Sequence, residues 1–182
     1  KYYSCLFSNN TFEGTVTREA ESCEGYATVG GCIGSAYNVS IANCEAEASV
    51  AENSVIDYES LNNYFNIGVG GLVGYHYYGF ISQSKTKVHL LKGLYNVGGF
   101  FGHIEEVDVD ACEAECESIE GGYYNAGGFG GYAYGNISNS KSSSISVVAN
   151  SDVGGFLGSG QGKISNCHST VTEYLKVTSD VR

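Results

Sequence analysis

Small or apolar side chains alternate with polar ones in five separate stretches of this chain. Cys44, Ala46 and Ala48 are spaced by Glu45 and Glu47, and Ser84, Thr86 and Val88 by Lys85 and Lys87. The same pattern recurs as Cys112-Ala114-Cys116, Ser140-Ser142-Ser144 and Cys167-Ser169-Val171. A period of two marks a strand with one face turned inward, and side chains this small predict a narrow interior between opposing strands.

Each stretch follows, at a nearly fixed distance, a glycine-rich phrase. The copies are Val29-Gly30-Gly31-Cys32-Ile33-Gly34, Val69-Gly70-Gly71-Leu72-Val73-Gly74, Val97-Gly98-Gly99-Phe100-Phe101-Gly102, Ala126-Gly127-Gly128-Phe129-Gly130-Gly131 and Val153-Gly154-Gly155-Phe156-Leu157-Gly158. Counted from the first glycine of each pair, the steps are 40, 28, 29 and 27 residues. A fixed period in this range predicts units that stack and share one core. Adjacent glycines in β-rich sequence mark bends or close backbone approach. Asn96, Asn125 and Asp152, just ahead of three phrases, are residues that turn the chain.

The expected fold is all-β: a β-helix-like solenoid of about five to six stacked coils of 27–29 residues. It forms one domain over residues 1–182, beginning with a partial coil at 1–25 and a longer coil at 26–66 that carries an insertion near 52–65. Further coils follow at 67–95, 96–124, 125–152 and 153–182. A sandwich of short strands would give no reason for one phrase to recur in register.

Composition narrows the function classes. The chain has 26 glycines and no proline, as continuous β-ladders require. A net charge of −11, with Arg18 and Arg182 the two arginines and the lysines dispersed, argues against binding nucleic acid. No apolar run approaches a membrane span, so no membrane insertion is expected. Seven cysteines cannot all pair within one chain.

The segment Val153–Gly158 followed by Gly162-Lys163-Ile164-Ser165-Asn166-Cys167 resembles the GLUG repeat of bacterial cell-surface proteins, among them adhesins and the non-catalytic parts of IgA1-specific metallopeptidases. The similarity spans about residues 26–182. It implies an extracellular or cell-surface location and a stalk, spacer or binding surface, with no catalytic residues to carry over.

Candidate chemistry agrees with a non-catalytic reading. The structural repeat residues are the pairs Gly30-Gly31, Gly70-Gly71, Gly98-Gly99, Gly127-Gly128 and Gly154-Gly155, with the inward column Cys44, Ser84, Cys112, Ser140 and Cys167. Cysteines two coils apart in that column are out of disulfide reach and read as buried free thiols. Cys5 and Cys23 are the pair left open. Carboxylates from Glu105 to Glu120 read as a solvated acidic face; the calcium nonapeptide is absent, and neither metal nor cofactor is expected. The four histidines occupy unrelated registers. A polysaccharide-active enzyme would have Asp108 and Asp110 for its carboxyl pair, but any i, i+2 pair on a strand has that spacing. Tyr75, Tyr77, Tyr78, Tyr132 and Tyr134 form the candidate surface for a protein or glycan partner. The other partner foreseen is a second copy, stacked end to end in an extracellular filament. Asn9, Asn38 and Asn136 open glycosylation sequons, which matter in a secreted eukaryotic chain and are turn residues in a bacterial one.

Overall fold

Strands follow one another in this chain without a helix among the described residues, which in the computed structural model are 5–18, 28–52 and 67–178. The expected insertion near 52–65 and Cys23 lie outside them. In chain order the strands are β1 (Cys5–Ser8), β2 (Thr11–Arg18), β3 (Thr28–Gly30), β4 (Ile33–Ala42), β5 (Glu45–Glu52), β6 (Gly68–Gly70), β7 (Val73–Ser82) and β8 (Lys85–Gly98). Then come β9 (Phe101–Asp110), β10 (Glu113–Gly127), β11 (Gly130–Tyr134), β12 (Ile137–Ser138), β13 (Lys141–Ala149), β14 (Val153–Gly154), β15 (Leu157–Gln161), β16 (Ile164–Ser165) and β17 (His168–Val177).

Every pairing joins a strand to its counterpart one repeat away, and every pairing is parallel. The first sheet runs β1-β4-β7-β9-β11-β15, with β12 and β16 extending it. The second runs β2-β5-β8-β10-β13-β17. The glycine phrases pair among themselves as β3 with β6, β6 with the end of β8, and β14 with the end of β10. The fold is all-β and β-helix-like.

The register explains the phrase. Except at Gly34 in the first copy and Gly155 in the last, its first and second glycines and its closing glycine face backbone where a Cβ would stand. On Gly98 a Cβ would strike the Phe101 carbonyl, and on Gly99 the Gly128 carbonyl of the next repeat. On Gly102 it would strike the Val69 amide of the repeat before. The residue after each glycine pair fills the core: Cys32, Leu72, Phe100, Phe129 and Phe156 follow one another, linked by backbone hydrogen bonds such as Phe100 N–H to Phe129 O at 2.7 Å. The three phenylalanines stack nearly parallel, with ring centroids 5.0 and 4.7 Å apart. Gly130 breaks the phrase because the Phe101 ring occupies the place of its side chain.

The second landmark is a left-handed bend. Asn43, Gln83, Ala111, Asn139 and Asn166 all have φ between 49° and 53°, a region that asparagine enters cheaply and alanine does not. Asn96, Asn125 and Asp152 bend the same way ahead of the phrase. A further left-handed residue, Asn38, Tyr78 or Glu106, interrupts β4, β7 and β9 at one shared position. The fourth and fifth repeats lack it: Tyr134 and Ile137 pair with Glu105 and Val109, so one residue fewer spans the bend.

Candidate functional site

Inside the repeat, the small column forms a hydrogen-bonded seam. Each side chain donates to the carbonyl two residues earlier: Cys44 Sγ to Ala42 O at 3.3 Å, Ser84 Oγ to Ser82 O at 2.8 Å, and Cys112 Sγ to Asp110 O at 3.3 Å. Ser140 to Ser138 and Cys167 to Ser165 continue it, at 2.7 and 3.3 Å. The two serines also accept, from the amides of Cys44 at 3.0 Å and Cys112 at 3.1 Å. Cys44, Ser84, Cys112 and Ser140 are buried. Cys167, expected to be packed like them, is only half-covered, because no described repeat lies beyond it.

The described cysteines Cys5, Cys32, Cys44, Cys112, Cys116 and Cys167 are free thiols. Burial pushes Cys112 and Cys116 up to about 12, so almost none of either is thiolate at neutral pH. Native labelling with a maleimide should therefore modify Cys5 rapidly and Cys112 and Cys116 only on unfolding. Cys112→Ser should be tolerated to within about 1 kcal/mol, because a hydroxyl there meets the Asp110 carbonyl as its neighbours meet theirs. Fast native labelling of Cys112 would contradict the packing described here.

The outer face of the second sheet is a charge ladder. The column Glu45-Lys85-Glu113-Lys141 alternates in sign. Lys141 Nζ is 2.6 Å and Lys85 Nζ 4.0 Å from Glu113, while Lys87 Nζ lies 2.6 Å from Glu47. His89 bridges Glu47 and Glu117 at 3.5 and 3.0 Å. Glu113, expected within a solvated acidic face, is thus flanked by two lysines.

The first sheet has a different face. Tyr75, His103 and Tyr132 form one column, their ring centroids 5.1 and 4.8 Å apart. Tyr37, Tyr77, Glu105 and Tyr134 form the next. Tyr37 and Tyr77 lie 5.2 Å apart and Tyr77 and Tyr78 4.1 Å. A hydrogen bond with Tyr78 pushes the Tyr77 phenol up to about 12. Tyr75 donates to Glu105 Oε2 at 3.3 Å, and burial with that carboxylate raises its phenol. The five candidate tyrosines therefore share one sheet, but His103 and Glu105 separate Tyr75 and Tyr77 from Tyr132 and Tyr134. Counting from the closing glycine of each phrase would have placed both intervening residues in these columns. Tyr95, just ahead of the phrase Val97–Gly102, is buried and stacks on Tyr123 and Tyr124.

The remaining candidates are held by the bends. Asp108 accepts from the Asn136 side chain at 2.9 Å, and Asp110 from Ser138 and Asn139 at 2.6 and 2.7 Å. Those bonds hold the Asp110 carboxyl below its usual range. Of the sequon asparagines, Asn9 and Asn38 occupy left-handed turns and Asn136 is tied to Asp108. Among the described residues, no group of three or more His, Cys, Asp and Glu is placed to hold a metal ion, and no helix is long and apolar enough to cross a membrane.

Stacked parallel strands with a recurring glycine phrase define a β-helix-like repeat protein. Residues 122–148, from the end of β10 through most of β13, match the GLUG motif, consistent with a repeat of that type. No curated protein and no solved structure gives a significant match.

Proposed function

We propose that the chain is a β-solenoid of five to six coils that serves as a non-catalytic module of an extracellular surface protein, a stalk that also displays a binding face. The observation that carries this reading is the in-register stacking of the phrase. The repeated residues are spent on close backbone approach, as at Gly98, Gly99 and Gly102, and the seam side chains bond across the bend to the carbonyl two residues earlier. Asp108 and Asp110, the carboxyl pair an enzyme would use, are each engaged by asparagine side chains of the next repeat. The GLUG match supports the surface-protein class.

A second reading, end-to-end assembly into a filament, draws on the last repeat. Phe156 and Val171 are half-covered there, whereas Phe129 and Ser144 one repeat earlier are buried, and Ile164, Leu175 and Val177 are at least half exposed. Open strand edges of this kind template further pairing. Sedimentation velocity across a wide concentration range separates the two: a constant monomer supports the module, and growth with concentration supports the filament. Turnover of a polysaccharide that disappears in Asp108→Asn or Asp110→Asn would overturn both.

A further inference from the structure

The two sheets divide the charge of this protein unequally. Lys85, Lys87, Lys92, Lys141 and Lys176 all lie in strands of the second sheet, where several are paired with glutamates. The strands of the first sheet contain neither lysine nor arginine, yet β9 carries Glu105, Glu106, Asp108 and Asp110. Beside those carboxylates stands the tyrosine cluster. Tyr37 is 68% and Tyr78 44% exposed, and Phe80 nearby is 41% exposed. Clustered, exposed aromatic surface on a soluble domain marks an interaction site.

Tyr78 adds an independent observation. Its φ of 55° is the left-handed region, where a bulky side chain is a true outlier. Asn38, at the same position one strand away, adopts that bend at little cost. A strained aromatic residue held out into solvent, where asparagine would serve the fold better, points to use of the ring itself.

We infer that this face, centred on Tyr37, Tyr77 and Tyr78 with Glu105 and Glu106 alongside, docks an arginine-bearing segment of a partner protein. Charge complementarity selects the occupant. An anionic partner is repelled by carboxylates that no lysine or arginine within that sheet's strands offsets, Lys163 lying outside them at the bend between β15 and β16. A guanidinium stacks on tyrosine faces and pairs with a carboxylate in one placement. Lysine, a compact and strongly hydrated charge, gains less from the rings. This rests on the proposed reading of the chain as a display module, whose binding face it specifies.

The test is fluorescence anisotropy of labelled oligoarginine and oligolysine peptides of equal length with the full chain, at low and at physiological salt. Arginine peptide is expected to bind more tightly than lysine peptide and to retain measurable binding at physiological salt. Tyr37→Ser/Tyr77→Ser and Glu105→Gln/Glu106→Gln should each weaken it about tenfold. Glu115→Gln/Glu117→Gln, which removes the same charge from the second sheet, should change it less than about twofold. Tyr78→Asn should weaken binding while raising the melting temperature, a pairing of effects that a structural role for Tyr78 would not produce. Equal losses in the two glutamate pairs would reduce the effect to net charge and overturn the inference. So would absence of binding at low salt, or a neutral cello-oligosaccharide that occupies the tyrosines in place of the peptide. Mass spectrometry of the recovered peptide keeps the two readings apart. An intact, unbound peptide sinks the docking face alone, and a cleaved one sinks the non-catalytic reading.

Discussion

Gly128→Ala is expected to abolish cooperative folding at ambient temperature, while Gly155→Ala, the same change one repeat further on, is expected to be tolerated. The two glycines hold the same place in their phrases and differ in what lies beyond them. A Cβ on Gly128 would fall on the carbonyl oxygen of Gly155, with Ser144 Oγ 2.9 Å away. Backbone carbonyls cannot rotate aside, and this one is already placed by the stack: Gly128 donates to the Gly154 carbonyl at 3.2 Å, and Phe129 to Phe156 at 2.8 Å. Relief therefore requires the last repeat to move away, which would unstack Phe129 from Phe156 and uncover the core. That combination of overpacking and lost burial falls at about 4 kcal/mol or more, in the range that unfolds a marginal domain. On Gly155 the nearest atoms would be Ser169 Oγ at 3.1 Å and Val171 Cγ2 at 3.3 Å, both at side-chain ends that can shift. The cost there should stay near about 1 kcal/mol. Urea melts of the two variants decide it; similar midpoints would show that the phrase is not held by contact with the next repeat.

The same contacts explain what the amino-acid order discloses. The phrase is legible because three of its positions face backbone, so selection for glycine repeats with the fold and leaves a fixed period. The inward column is legible because a narrow seam admits only Cys, Ser, Ala, Thr or Val. The bend at Asn38, Tyr78 and Glu106 was less visible, since three unlike residues share one backbone state and nothing in their chemistry announces it. It appears in the sequence only as a spacing of ten rather than nine from the second glycine to Ile41, Ile81 and Val109. The candidate site needed more than spacing. That Glu105 adjoins Tyr77, and that the lysines within strands lie in the other sheet, depends on which strand joins which sheet, and pairing between residues 28 positions apart is not written locally. The burial of Tyr95 is hidden for the same reason, since the rings it stacks on, Tyr123 and Tyr124, come from one repeat away.

Acid is expected to destabilise the protein well before its carboxylates protonate, and the cause is a pair of buried histidines. His76 is fully buried and its Nε2 lies 2.9 Å from the Val39 carbonyl. A carbonyl only accepts, so Nε2 carries the proton and Nδ1, buried without a partner, is the bare nitrogen. His103, 2% exposed between Tyr75 and Tyr132, also has an unpartnered Nδ1. Protonating either ring would bury a cation whose Nδ1–H has no acceptor among the described residues, and burial accordingly depresses both to about 4. The unfolded chain protonates its histidines near 6.5. Between about 6.5 and about 4 the unfolded state thus binds more protons than the folded one, and stability falls as pH falls through that window. Above it the full stability is present; below about 4 both states are protonated and these groups add no further slope. The loss is at most about 3 kcal/mol for each ring. Asp110, whose carboxyl is depressed by Ser138 and Asn139, acts in the opposite ionic sense and over a lower range, losing its contribution as pH drops below the normal carboxylate value. The two causes are separable by substitution. His103→Phe keeps an aromatic ring between Tyr75 and Tyr132 while removing both the titrating group and the orphaned nitrogen. It should leave stability at neutral pH unchanged or raised, and flatten the decline between about 6.5 and about 4. Urea midpoints of the parent that hold constant across that window, or a decline in His103→Phe as steep as the parent's, would show that the histidines are not the buried neutral rings described here.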